Sequence, residues 1–327
     1  MDLPAPYVAR PYRGRVDHPT MAMILGAYRR HAGDPEMPTV EQMDVTYANL
    51  VNCDPNHDIS IVETADGEPV GYARASWEDL DDGVRYCTVF APTLPSHLDE
   101  PLYAACVRSM ERHMLPWTDD DGPSRFRAYA AHPVPDGPVS GEAAWLESLG
   151  YTAEHFGAFL LRPHLDEIPD LALPDGVELR PVTDEQLRTI WEAHYEAFRG
   201  QWDFRPGTEE EYQMFLDDPL RDVSLWKVAW AGDTVVGQVK SFIHEEENAA
   251  NGYLRGYTEY ISTHADWRNR GIAGALIAMS LRELKERGMT EAALGVDTDN
   301  PTGAFHLYTR LGFELQTREA VYEKPVS

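Results

Sequence analysis

The chain has 327 residues, 43% hydrophobic and 10% aromatic, which is enough apolar material for two folded domains and too much for a disordered chain. Its 28 Lys and Arg against 55 Asp and Glu give a net charge of −27, a field that repels nucleic acid and anionic membrane. The longest apolar stretch, around residues 276–281, is too short to cross a bilayer, and residues 1–14 hold three prolines and no apolar run. A soluble, cytoplasmic protein with no secretory signal is expected.

Cys53, Cys87 and Cys106 lie far apart and have no Cys or His at zinc spacing, so they are expected as small buried or half-buried apolar residues. The nearest approach to a histidine pair is His155 and His164, nine apart. No metal site is expected.

Landmarks recur in order along the chain. Arg10-Pro11 and Arg180-Pro181 are 170 apart, Val70-Gly71 and Val236-Gly237 are 166 apart, and Leu149-Gly150 and Leu311-Gly312 are 162 apart. An ordered set with slowly drifting offsets predicts a duplicated unit of about 160 residues. Pro163, Pro169 and Pro174 mark the linker, and the halves are placed at 1–164 and 165–327.

In the second half, residues 177–180 alternate like a strand, and Thr183-Asp184 caps a helix through Leu187, Ile190, Trp191 and Tyr195. Two strands, 225–230 and 234–243, meet at Ala231-Gly232-Asp233, a hairpin signal. Residues 245–252 read as a long polar turn before a strand over 253–263. A helix with Leu276, Leu281 and Leu284 on one face ends at Arg287-Gly288, and 292–296 is a buried strand. Pro301 opens another helix ending at Gly312, and 313–324 is the last strand. This is a mixed α/β layer fold.

Between strand and helix stands Arg268-Asn269-Arg270-Gly271-Ile272-Ala273-Gly274. Small residues let a ligand approach the backbone, a first helical turn offers free N–H groups, and two arginines add charge. In so acidic a chain this local patch reads as an anion cradle.

The segment resembles the acetyl-CoA motif of the GNAT acyltransferase superfamily, Q/R-x-x-G-x-G/A, through Arg268, Gly271 and Ala273. Asn300, Ala304, Tyr308 and Leu311-Gly312-Phe313 are similar to its second motif. The resemblance implies two tandem GNAT-like domains, each a mixed, mostly antiparallel sheet flanked by helices. It implies acetyl-CoA as co-substrate, held by Ile261, Ser262, Thr263, Arg268, Asn269, Arg270, Gly271, Ile272, Ala273, Gly274 and Asn300. It also implies direct attack of a primary amine on the thioester, with Tyr308 as the acid for the leaving thiolate. Many relatives place a glutamate eleven residues before the first Arg/Gln; here Tyr257 stands there, and Glu259, two further along and on the same strand face, takes the role of base.

The first half lacks this equipment. The strand at 86–90 runs into Ala91-Pro92-Thr93-Leu94-Pro95-Ser96-His97, where prolines remove donors, and Leu146 stands where the repeat would place Tyr308. The expected function is an N-acetyltransferase acting on a small-molecule amine, with a catalytic C-terminal half. The acidic surface and Glu245-Glu246-Glu247 lean towards a cationic acceptor. The alternative is a non-catalytic acyl-CoA-binding or interaction protein. Oligomeric state and acceptor identity stay open.

Overall fold

A computed structural model describes residues 1–34, 36–118, 122–132, 141–298 and 303–326. The chain divides into two compact units, Met1–Gly157 with Thr317–Ser327, and Ala158–Gln316. The sequence reading set the boundary at 164/165 and gave the whole C-terminal segment to the second half. In the structure residues 158–164 count with the second unit, and the segment from Thr317 onward counts with the first.

The first unit runs β1 (Val8–Pro11), α1 (His18–His31), α2 (Val40–Ala48), α3 (Pro55–Asp58), β2 (Ile59–Glu63), β3 (Pro69–Asp79), β4 (Arg85–Phe90), α4 (Glu100–Met114), β5 (Ser124–His132), α5 (Gly141–Ser148) and the start of β6 (Thr152–Arg162). The second runs from the end of β6 through β7 (Glu178–Arg180), α6 (Leu187–Phe198), α7 (Glu209–Asp217), β8 (Lys227–Ala231), β9 (Thr234–Ile243), α8 (Glu245–Asn251), β10 (Arg255–Thr263), α9 (Ile272–Glu286), β11 (Glu291–Asp297) and α10 (Ala304–Arg310) to the start of β12 (Glu314–Pro325). Apart from short helices, the order of elements repeats, β1 with β7 through β6 with β12.

The first unit orders its strands β1-β2-β3-β4-β5-β12, and the second β6-β11-β10-β9-β8-β7. Pairing is antiparallel along β1 to β4 and along β7 to β10, and parallel at β4–β5 and β10–β11. The parallel step in each unit is bridged by one helix, α4 or α9, as a crossover connection requires.

In the second unit α9 carries the core. Leu276, Ile277, Leu281 and Leu284 are fully buried against Val236, Val239, Ala292 and Leu294. At roughly 1.5–3 kcal/mol per buried side chain, this face outweighs any propensity term in the helix. The sheet makes room with glycine: a Cβ on Gly237 would lie 2.6 Å from Ile272 Cγ2, and one on Gly256 would run into Leu284. On the other face, Leu187 and Ile190 of α6 pack with Leu225, Val228 and Val235. Thr183 opens that segment through a reciprocal capping box with Gln186. The hairpin between β8 and β9 turns at Gly232, whose φ is 59°.

Two elements depart from the sequence reading. Residues 209–217 form a helix, entered through a Thr208–Glu211 capping box that went unread. The expected polar turn at 245–252 is the helix α8, closed by Gly252 in the left-handed conformation. Glu247 is fully buried and accepts hydrogen bonds from the hydroxyls of Tyr253 and Tyr257, so it is not part of a solvated acidic entrance. Pro301 lies outside the described residues. Cys87 and Cys106 are buried and Cys53 half-buried, with burial pushing the Cys87 thiol up to about 11.

Candidate active site

Two local irregularities open a cleft in the second unit. The first is a bulge in β10. Glu259 pairs with Lys240 and Ser262 with Gln238, so Tyr260 and Ile261 stand opposite the single Val239. Tyr260 takes φ 50° to make the step. The second is a splay: the β10–β11 ladder stops at Tyr257–Ala293. Beyond that point Glu259 Oε1 accepts a 2.7 Å hydrogen bond from Gly295 N–H.

The cleft between these features has a volume of about 1170 Å3. Its walls include Glu259, Ile261, Ser262 and Thr263 of the bulged strand, the head of α9, and Tyr308 of α10. Arg268, Asn269, Gly271, Ile272, Ala273 and Gly274 also line it. Asn300 lies outside the described residues.

The head of α9 is open for chemical reasons that can be named. Gly271 is its N-cap, left-handed at φ 82°, with no side-chain cap, and a Cβ placed there would meet nothing within 4 Å. Asn269 is also left-handed, at φ 61°. In the first turn the N–H groups of Ile272, Ala273 and Gly274 have no carbonyl of their own helix to bond, and the helix dipole adds positive potential. The same place in the first unit is closed. There Asp99 caps α4, accepting from Leu102 N–H at 2.9 Å, so a carboxylate of the chain itself sits on the helix head.

The two arginines do other work. Arg268 donates to the Ala197 carbonyl at 2.6 Å, tying the loop to the end of α6. Arg270 donates to the Asp266 carbonyl, lies 4.6 Å from the Trp267 ring, and is absent from the cleft wall. At this turn Arg268 lines the cleft with its guanidinium tied to the Ala197 carbonyl, and Arg270 does not line it.

Tyr308 is buried, and burial followed by the negative charge of Glu259 pushes its phenol well above the usual range. It stays protonated at neutral pH and can only donate or accept as a neutral hydroxyl. Tyr257, at the family's glutamate position, is buried, stacked on Phe242 at 4.8 Å and bonded to Glu247. It belongs to the packing behind the site.

The sequence reading missed two residues near the cleft. Lys240 of β9 is 3% exposed, with Nζ 4.8 Å from the Phe215 ring, 5.1 Å from Tyr260 and 5.6 Å from Trp226. Burial lowers its ammonium to about 7. His194 of α6 lines the cleft beside Tyr260. The i, i+4, i+7 spacing of Ile190, His194 and Ala197 marks His194 as inward-facing; nothing in the sequence marks Lys240 as buried.

The pattern of the acetyltransferase (GNAT) family matches residues 187–313. This span holds the bulge, the α9 head and Tyr308. Residues 187–313 are a GNAT-family domain. A mycothiol acetyltransferase from Geodermatophilus obscurus is 27% identical over 319 residues, covering 94% of each chain. The one from Thermobispora bispora is 28% identical over 164 residues, 50% of this chain and about half of the relative, 55%. Among solved structures, a GCN5-related N-acetyltransferase from Sphaerobacter thermophilus superposes with a TM-score of 0.72 at 23% identity, covering 99% of this chain and 97% of the other. The likeness in fold spans both units, so the chain is a tandem of two GNAT-fold units. Among the described residues, no helix is long and apolar enough to cross a membrane.

Proposed function

We propose that the second unit transfers an acetyl group from acetyl-CoA to the primary amine of a small molecule, and that the first unit has no catalytic site. The observation that carries this reading is the uncapped, left-handed Gly271 turn, which opens into the same cleft as Glu259 and Tyr308. The family's donor fits the residues present. An anion at the α9 head takes the N–H groups of residues 271–274, for which the helix has no partner. Past the bulge at Tyr260, residues 261–263 would offer main-chain polar groups beside the splay to an extended thioester arm. Asn300 belongs to the coenzyme side by its motif. Acetyl-CoA supplies the activated acyl carbon when bound.

Glu259 takes a proton from the acceptor ammonium, directly or through water, because an alkylammonium near pKa 10 must be neutral to attack. Tyr308 gives its proton to the departing sulfur. Direct attack needs no nucleophilic Ser or Cys, and the buried thiols of Cys87 and Cys106 are unsuited to that role. In the first unit, Asp99 on α4 and Leu146 in α5 leave neither an open helix head nor an acid.

The acceptor reads as cationic: the chain carries −27, and the carboxylates of Glu259 and Asp297 both border the cleft. A narrower, mycothiol-synthase-like role draws support from the full-length match to the Geodermatophilus protein. Incubation with acetyl-CoA and a panel of amines, followed by free-thiol release, tests the reading. Amine-dependent release is expected; coenzyme binding without release for every amine would favour an acyl-CoA-binding protein instead.

A further inference from the structure

His194 is a cleft residue with an unused nitrogen. It projects from α6 between the buried Ile190 and Ala197, and its ring is held by Phe198 at 4.8 Å and, edge on, by Tyr260 at 5.5 Å. Its Nδ1 is buried and has no hydrogen-bond partner among the described residues. A buried polar atom of this kind is uncommon in folded proteins and calls for an occupant. Tyr260 is the left-handed residue of the β10 bulge, immediately after Glu259, and both line the same cleft as His194.

The charge state of the ring narrows what the occupant is. Burial, and then the ammonium of Lys240, lower the imidazole to about 3. The ring is neutral at any working pH and has no charge to pair with an ion, so a second cation brought against it would be desolvated without compensation.

Resting on the acetyltransferase reading above, we propose that His194 binds the acceptor: Nδ1 hydrogen-bonds a neutral polar group, a hydroxyl or amide, that the acceptor carries beside the amine to be acetylated. The residue would select acceptors by that group, while Phe198 and Tyr260 cover their apolar part.

A matched set of probes tests this: cyclohexylamine, 2-aminocyclohexanol and 1,2-diaminocyclohexane differ only in the group next to the amine. With the full-length protein, kcat/KM for the aminoalcohol should exceed that for cyclohexylamine by about tenfold, the scale of one hydrogen bond, with the diamine below both. H194F should collapse that ratio towards one without weakening acetyl-CoA binding, and H194N, which keeps a polar atom near Nδ1, should restore part of it. An unchanged ratio in H194F would overturn the proposal and leave the acetyltransferase reading standing, as would a site satisfied by water alone. Independently of turnover, histidine-labelled protein with coenzyme A bound should show the His194 ring nitrogens shift with 2-aminocyclohexanol and not with cyclohexylamine. No shift with either overturns the proposal even if neither amine is acetylated. Failure of every amine in the wider panel to release thiol would instead sink the acetyltransferase reading.

Discussion

Glu259 Oε1 and Gly295 N–H are joined by a 2.7 Å hydrogen bond across the gap where β10 and β11 cease to pair. One carboxylate therefore serves the architecture of the splay and faces the cleft. The two duties separate by substitution. E259Q retains an oxygen for Gly295 and loses the charge, whereas E259A loses both. Both should lower kcat by about 10²–10⁴, the range of a general base, and E259Q should abolish the alkaline-rising limb of the rate profile. Only E259A should also lower the melting temperature. Equal kcat in E259Q and wild type would remove Glu259 as the base.

Tyr308 is kept protonated by burial and by the charge of Glu259. Replacing it with Phe keeps the apolar ring against Phe313, 6.2 Å away, and removes one proton donor. Turnover should fall by about 10²–10³ with acetyl-CoA affinity nearly unchanged. Weaker coenzyme binding at normal kcat would refute the acid assignment.

Gly271→Ala asks a backbone question. A left-handed L-residue costs about 1–2 kcal/mol, and no neighbour stands where the new Cβ would go. The expected outcome is a folded protein whose turn relaxes and whose acetyl-CoA affinity, read by calorimetry, drops at least about tenfold. The control is Asp99→Ala in the first unit. Loss of that cap should cost about 1 kcal/mol of stability and leave coenzyme affinity unchanged.

Lys240 gives a pH signature. Its ammonium titrates near 7 in the fold against an ordinary 10.5, so between these values the unfolded chain binds more protons and stability rises with pH. Below 7 the cost of the buried charge is fully present, offset in part by the Phe215, Trp226 and Tyr260 rings. K240M should be more stable than wild type at pH 6.5, and the difference should shrink by up to about 1.4 kcal/mol per pH unit above 7. Denaturant unfolding at pH 6.5, 8 and 9.5 checks this. A pH-independent difference would mean that the fold leaves the lysine ammonium at its ordinary value, contradicting the lowering by burial.

Much of this was legible in the sequence because backbone demands leave strong marks. Gly232, Gly271 and Gly288 are all left-handed, and each punctuates a hairpin or a helix end where the sequence put one. The repeat offsets follow from two copies of one strand and helix order. What stayed hidden depends on partners remote in sequence. Three consecutive glutamates read as solvent-facing, yet Glu247 turns inward because Tyr253 and Tyr257 lie across from it. Lys240 alternates with apolar residues like an outward lysine, and becomes buried because α7 and Trp226 cover that face.

The central claim is that main-chain N–H groups at the head of α9 grip the coenzyme. Titrating labelled protein with acetyl-CoA while following the amide resonances of Gly271, Ile272, Ala273 and Gly274 tests it most directly. These four should shift together, with the dissociation constant found by calorimetry, while Leu102 at the head of α4 stays still. Tight binding with these four amides unmoved would contradict it.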